Sequence, residues 1–305
     1  MSDLTPEVQR IAKDLLENKK VDIVFGWAKA PENDESVPVF IRQPEDAKRL
    51  IFDEYCIHDL SGYLLDYRDG KEKIGIFAKG CDSRAIVRLV EDEQFARDRL
   101  YIIGINCPGM KDPVARALAA SGLIVGGADA SALASKCQQC VHPNPVISDE
   151  TLGESQQPHL SGERFAEVKK MESMSAEERS KFFSDMFSKC IRCYACRNIC
   201  PACSCRTCIF DETRPQWVGR EVDASDNMMF HVIRAMHVAG RCVECGECER
   251  ACPVGLPLML LNRKVIKDVD QDFGPYEAGL TLEAGAKPPL SKYSVDDPDP
   301  FAVGR

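Results

Sequence analysis

The sequence lacks any uninterrupted apolar run of the roughly 18 to 20 residues that a membrane-spanning helix needs. Its opening segment, MSDLTPEVQRIAKDLLENKK, is charged and helix-like, which is not the pattern of a secretory signal. It also lacks Lys/Arg-rich runs, and 39 basic against 48 acidic residues give a net charge of −9, the wrong sign for binding nucleic-acid phosphates. We therefore expect a cytoplasmic protein with no membrane span and no nucleic-acid partner.

The common nucleotide-binding and catalytic patterns are missing as well. Neither G-x-G-x-x-G nor G-x₄-G-K-[ST] occurs, so the usual dinucleotide and nucleotide loops are not predicted. The five histidines form no ligand-spaced pair with a carboxylate, and no nucleophile–base arrangement is recognisable. We predict no catalytic residue and interpret the chain as an oxidoreductase component that carries electrons.

Cysteine, in contrast, is abundant. Sixteen cysteines in a reducing compartment indicate metal binding rather than a disulfide framework. Two segments, CIRCYACRNICP and CVECGECERACP, repeat the pattern C-x₂-C-x₂-C-x₃-C-P, with 41 residues between the last cysteine of the first run and the first cysteine of the second. This pattern is typical of proteins with two [4Fe–4S] clusters, in which the fourth cysteine of each run binds the cluster of the other run.

The twin runs therefore predict two crossed ligand sets. Zinc is the alternative, since C-x₂-C pairs also bind zinc, but a third evenly spaced cysteine and a fourth before proline are not needed for it. The predicted sets are Cys190, Cys193, Cys196 and Cys252 for cluster 1, and Cys242, Cys245, Cys248 and Cys200 for cluster 2.

The segments around these runs have helical patterns. Ser175 and Glu178 have the spacing of a capping box before the first run. Between the runs, Met229, Ile233 and Met236 lie at helical spacing, and LPLMLLNRKVIKDV predicts a helix after the second run. The second domain should be mainly α-helical.

Residues 185–270 resemble the helical two-cluster ferredoxin domains of heterodisulfide reductase small subunits and of fumarate reductase-type iron–sulfur subunits. The resemblance implies an electron-transfer role. The sequence departs from these domains at PACSCRTC, whose three additional cysteines either form a further metal site or are buried thiols. They are Cys203, Cys205 and Cys208.

The N-terminal half has an α/β pattern. Thr5 begins a predicted helix, and VDIVFGW, KIGIFAKG and RLYIIGINC read as strands, with a helix over CDSRAIVRLVEDE between the last two. Such a crossover predicts a mainly parallel sheet. Cys81 and Cys107 then follow the carboxyl ends of neighbouring strands, the edge at which open α/β sheets bind ligands.

A further C-x₂-C pair, Cys137 and Cys140, could return to this edge. With Cys81 and Cys107 it would bind a third [4Fe–4S] cluster, and Cys56 is the substitute if one of the four points elsewhere. For each thiol taken alone, a buried side chain without metal is the simpler interpretation.

The segments VDIVF, AKGCDSRAIVRLV, IIGINCPGM and SKCQQC resemble the beta subunits of deazaflavin-reducing hydrogenases and formate dehydrogenases. The resemblance implies a cluster near these cysteines, with FAD nearby. Two departures count against FAD and deazaflavin here: no glycine-rich opening precedes VDIVF, and the ferredoxin runs follow this module rather than precede it.

Two functions remain open. The first is an iron–sulfur subunit of a cytoplasmic multi-subunit anaerobic redox complex of the hydrogenase, formate dehydrogenase or heterodisulfide reductase type, with a flavin-bearing subunit among its partners. The second is a flavoenzyme subunit that exchanges hydride with a soluble coenzyme and passes electrons to its clusters. The expected organisation is an α/β domain at 1–142, a linker at 143–172, a helical dicluster domain at 173–272 and an extended arm at 273–305.

Overall fold

A computed structural model of the chain describes residues 3–31, 35–113, 133–219, 221–282 and Pro289. Most of the arm expected at 273–305 lies outside these residues. None of the described helices is both long enough and apolar enough to cross a membrane.

The N-terminal half forms one mixed sheet with the strand order β2-β1-β4-β5-β6, and β3 also pairs with β1. β1 is parallel to β4 and antiparallel to β2 and β3, whereas β4, β5 and β6 are parallel to one another. The expected parallel sheet is therefore present with antiparallel strands added at β1. The strands are β1 Ile23–Lys29, β2 Ser36–Ile41, β3 Leu50–Ile51, β4 Ile74–Ala78, β5 Leu100–Ile105 and β6 Glu150–Leu152.

Two helices pack on this sheet. Helix α1, Thr5–Glu17, buries Val8, Ile11 and Leu15, as its spacing predicts. Helix α2, Gly80–Glu91, connects β4 to the parallel strand β5, which confirms the predicted crossover. In its first turn, the Asp82 carboxylate accepts a hydrogen bond from the Lys79 amide at 3.0 Å, which caps the start of the helix.

The stretch 143–172, expected as a linker, contributes regular structure. β6 extends the sheet, and Asp149 beside it accepts a hydrogen bond from the Ile102 amide of β5 at 2.7 Å. A short helix, α3 at Ser135–Gln138, precedes the stretch, and another, α4 at Ala166–Glu172, lies at its end. β6 has only three residues and a polar sequence, so its place comes from pairing with β5 rather than from its own pattern.

The C-terminal half is helical, as predicted. Ser175 and Glu178 form the expected capping box, with hydrogen bonds of 2.7 Å and 3.2 Å. A separate apolar core gathers Phe187, Phe230 and Leu258 around buried cysteines of the two runs. The helices are α5 Ala176–Ser188, α6 Ala195–Asn198, α7 Ala224–His237, α8 Glu247–Arg250 and α9 Leu258–Phe273.

The described residues after α9 return to the N-terminal half. The Arg84 guanidinium on α2 donates a 2.8 Å hydrogen bond to the Ala278 carbonyl, and the Arg84 backbone lies against Gly279. A side chain at Gly279 would place its Cβ 2.3 Å from the Arg84 carbonyl oxygen, so glycine is needed for this approach. The beginning of the expected arm thus joins the two halves of the protein.

Candidate iron–sulfur sites

The first cysteine run and the end of the second run share one site. Cys190 interacts electrostatically with Cys193 and Cys252, and Cys196 interacts with all three. Short helix α6 follows Tyr194, whose left-handed backbone (φ 60°) turns the chain between Cys193 and Cys196. Burial raises the pKa of the Cys196 thiol to about 11, because a lone thiolate is poorly solvated there.

The second run and Cys200 form the matching site. Cys200 interacts electrostatically with Cys242, Cys245 and Cys248. Burial raises the pKa of the Cys242 thiol to about 12, and a metal ion would oppose that shift. The fourth cysteine of each run thus interacts with cysteines of the other run, while the two ligand sets themselves stay a prediction.

The surroundings of these sulfurs fit iron–sulfur clusters. Backbone amides donate to them, from Arg192 to Cys190 at 3.3 Å and from Leu256 to Cys252 at 3.4 Å. The Asn262 side-chain amide lies 3.6 Å from the Cys248 sulfur. In proteins, [4Fe–4S] clusters are bound by cysteine sulfurs that accept hydrogen bonds from N–H groups and are surrounded by apolar side chains.

Helix α7, between the two runs, presents His231 and Arg234 to the sulfurs. Both are 1% exposed, and His231 Nε2 lies 3.2 Å from the Cys190 sulfur. Burial and the nearby Arg234 and Arg192 lower the pKa of His231 to about 4, so the imidazole is neutral near pH 7. The methionines at 229 and 236, which suggested the helix, are instead exposed. The sequence did contain a sign of this polar face, because His231 and Arg234 occur one helical turn apart between the cysteine runs.

A third group of cysteines lines one cavity at the carboxyl edge of the sheet. The group comprises Cys81, Cys107, Cys137 and Cys140. Burial raises the pKa of Cys107 to about 12, and the Met110 amide donates to the Cys137 sulfur at 3.4 Å. The Cys81 sulfur also lies 3.7 Å from the Asp82 carboxylate, a buried neighbour that the sequence pattern did not indicate.

Gly80 allows two of these cysteine-bearing segments to meet. A Cβ at Gly80 would lie 1.9 Å from the His142 carbonyl oxygen, just past Cys140. Cys56, the predicted substitute, is fully buried, accepts a hydrogen bond from the Asp53 amide at 3.3 Å and does not line this cavity. The structure therefore keeps Cys56 apart from the other four.

The same cavity borders the second run. Val243, Glu244 and Cys245 contribute to its wall. Beside it, Lys136 forms a buried ion pair with Glu247, one residue before Cys248. Burial alone would raise the pKa of Glu247, but the neighbouring Lys136 and Arg250 lower this pKa to about 2. The N-terminal cavity and the cluster 2 cysteines are thus in direct contact.

The three additional cysteines, Cys203, Cys205 and Cys208, differ in their hydrogen-bond partners and in their exposure. Cys203 is hydrogen-bonded to the Cys200 thiol, which lowers the pKa of Cys203. Cys208 is hydrogen-bonded to Arg197, and Cys205 is exposed. They border an open depression on the surface together with several arginines.

Comparison with known proteins places these observations in context. Residues 186–256 match the family model of the 4Fe-4S dicluster domain. The chain is 23% identical over 336 residues to the F420-dependent formate dehydrogenase subunit beta of Methanocaldococcus jannaschii, covering 85% of this chain and 87% of the relative. It is 25% identical over 356 residues to the F420-dependent formate dehydrogenase 1 subunit beta of Methanococcus maripaludis, covering 91% of each. Both alignments exceed the 305 residues of this chain, so the relatives contain residues with no counterpart here.

The dicluster match covers both cysteine runs, and the relatives span both halves of the chain. The predicted resemblance of the N-terminal half to formate dehydrogenase beta subunits is supported, while the resemblance to heterodisulfide reductase stays a prediction. From the dicluster match, the two relatives and the gathered cysteines we conclude that the chain is an iron–sulfur electron-transfer protein of the oxidoreductase class.

Proposed function

We propose that this chain is the iron–sulfur subunit of a multi-subunit redox complex of the formate dehydrogenase type, in which it passes single electrons along its clusters. The observation that carries the proposal is the crossed pairing of the two runs. Cys252 interacts with Cys190 and Cys196, and Cys200 interacts with Cys242 and Cys248. Crossed ligation holds two clusters close together, which favours rapid transfer between them.

A third [4Fe–4S] cluster would be bound by Cys81, Cys107, Cys137 and Cys140. Three features support it: the shared cavity, the amide that faces Cys137, and the steric need for glycine at position 80. The cluster would provide electron storage and outer-sphere transfer, so no bond-making side chain is required beside it.

These positions suggest an order of transfer. The wall of the N-terminal cavity includes Cys245, a proposed ligand of cluster 2. Cluster 2 would therefore connect the N-terminal cluster to cluster 1. Cys193 of cluster 1 is exposed, which would bring that cluster nearest to a partner surface.

The proposed path of electron transfer indicates what kind of partner subunit the chain needs. A hydride carries two electrons, whereas each cluster accepts one at a time, so a flavin must stand between a hydride-carrying coenzyme and the clusters. We place that flavin in another subunit, since this chain lacks a glycine-rich dinucleotide loop and is shorter than either alignment. A flavoenzyme role for this chain is the alternative, because both relatives are described as F420-dependent.

Anaerobically purified protein tests these proposals. We expect no stoichiometric flavin in an acid extract, and flavin at one per chain would favour the flavoenzyme. In the reduced protein, Cys196→Ala should remove the electron paramagnetic resonance signal of one cluster. Cys56→Ala is the control, since Cys56 is also buried but belongs to neither ligand set of the twin runs and does not line the N-terminal cavity, and it should retain every signal.

A further inference from the structure

Arg234 is a deeply buried cation with unusual surroundings. It is 1% exposed, and its Nη2 donates to the Asn262 side-chain oxygen at 3.2 Å. Its Nε and Nη1 atoms are buried and have no hydrogen-bond partner among the described residues. An arginine side chain carries five N–H donors, and the three on Nε and Nη1 have no acceptor among the described residues.

No carboxylate within the described ranges pairs with Arg234. Other buried arginines do have such partners: Arg88 pairs with Glu91 and Asp92, and Arg263 pairs with Glu244. Burying a charge without a partner of opposite charge is strongly unfavourable. Arg234 therefore needs a different counterion.

Arg234 interacts electrostatically with cysteine sulfurs from both predicted ligand sets and with Cys203, which belongs to neither. Cys196 belongs to the set of cluster 1, and Cys200 and Cys248 belong to the set of cluster 2. Asn262 extends the contact, because its side-chain amide lies 3.6 Å from the Cys248 sulfur. The guanidinium is thus linked through Asn262 to the cluster 2 set, and it lies one helical turn after His231, which contacts Cys190 of the cluster 1 set.

A [4Fe–4S] cluster with four thiolate ligands is an anion, and each electron that it accepts adds one negative charge. Two such clusters side by side repel each other most when both are reduced, because burial weakens the screening of their charges. A cation between them stabilises both reduced states and offsets this repulsion.

We propose that Arg234 is the shared counterion of the two clusters and allows each of them to hold an electron at the same time. The proposal rests on the twin-cluster assignment above. Arg234 would act as a positioning and electrostatic group, not as a cluster ligand. The electron enters each cluster from an external reductant, and no bond to carbon, nitrogen or oxygen is formed or broken.

The test is a redox titration of the full chain with dithionite, in which each cluster takes up one electron and dithionite is oxidised to sulfite. In Arg234→Met, both midpoint potentials should become more negative, and the gap between them should widen. Arg88→Met removes an equally buried arginine that has carboxylate partners instead, and should leave both potentials unchanged.

Iron content separates failure of this proposal from failure of the cluster assignment. If the wild-type protein contains no iron at the twin runs, the assignment of two clusters to these cysteines is wrong. Arg234→Met with full iron and unchanged potentials would overturn the counterion proposal alone. If Arg234→Met does not retain its clusters, Arg234→Lys is the variant to measure. Because lysine keeps the positive charge, the difference between the two midpoint potentials should stay near the wild-type value. A larger difference in Arg234→Lys at full iron content would contradict the proposal.

Discussion

His231 Nε2 lies 3.2 Å from the Cys190 sulfur, and its imidazole stacks on the ring of Phe187 with centroids 5.3 Å apart. Because the imidazole is neutral, it can donate to this sulfur only as the Nε2–H tautomer. A hydrogen bond to a cluster sulfur raises the reduction potential. We predict that His231→Phe, which keeps the stacking, makes the potential of cluster 1 more negative, as measured by titration under electron paramagnetic resonance.

His237 supplies the control for this experiment, since it is on the same helix but is exposed. His237→Phe should leave both potentials in place. An unchanged cluster 1 potential in His231→Phe would show that the contact with Cys190 is packing only. A fall in both potentials would place His231 in the shared role that we assign to Arg234.

Gly80→Ala should disrupt the N-terminal site and spare the other two. The new Cβ would lie 1.9 Å from the His142 carbonyl oxygen, so the segments that carry Cys81 and Cys140 must separate. We expect iron per chain to fall by about four, the content of one cubane cluster. Gly62→Ala is a milder change, because its Cβ would meet only the Ile199 carbonyl oxygen at 3.3 Å, and it should retain all iron. Full iron in Gly80→Ala would argue against a cluster in this cavity.

Glu247→Gln should destabilise the contact between the two halves. It leaves the Lys136 ammonium buried without its carboxylate, and loss of one member of a buried pair costs about 3 kcal/mol or more. Lys181→Ala, which removes an exposed pair with Asp185, should change the free energy of unfolding by less than about 1 kcal/mol. Thermal unfolding followed by circular dichroism measures both variants. Equal effects would contradict the structural role of the Lys136–Glu247 pair.

Removal of the clusters should unfold the C-terminal half first. Its apolar core contains Cys190, Cys196 and Cys248, so the loss of metal removes the centre of that core. The N-terminal core instead rests on the sheet and helix α1. After oxidative treatment with a chelator, hydrogen exchange should increase strongly in α5, α7 and α9 and little in β1 and β4. Uniform exchange across both halves would mean that they unfold as one unit.

The sequence predicted those parts of the protein whose pattern is local. The spacing of the twin runs indicated the crossed sets, and the apolar strand before Cys81 with the helix after it indicated the crossover. The capping box at Ser175 was likewise readable from two residues. In each case one physical rule connects neighbouring residues to a geometry.

Other features depend on contacts that no local pattern carries. The spacing of Met229 and Met236 predicted a helix at the right place, but the buried face of α7 carries Phe230, His231 and Arg234. Apolar periodicity assumes an apolar core, whereas this helix faces cysteine sulfurs that attract polar groups. β6 was missed for a related reason, since its three residues acquire strand structure only by pairing with β5.

The central claim, that cysteines gathered at three places bind cubane clusters, is tested most directly by iron and acid-labile sulfide per chain in anaerobic protein. We predict about twelve of each, four for every cubane, with Cys203, Cys205 and Cys208 contributing none. About eight irons and sulfides per chain would mean that the N-terminal cavity binds no cluster. About sixteen would mean that those three cysteines also take part in binding a cluster. A colourless protein that contains zinc and no sulfide would contradict the account.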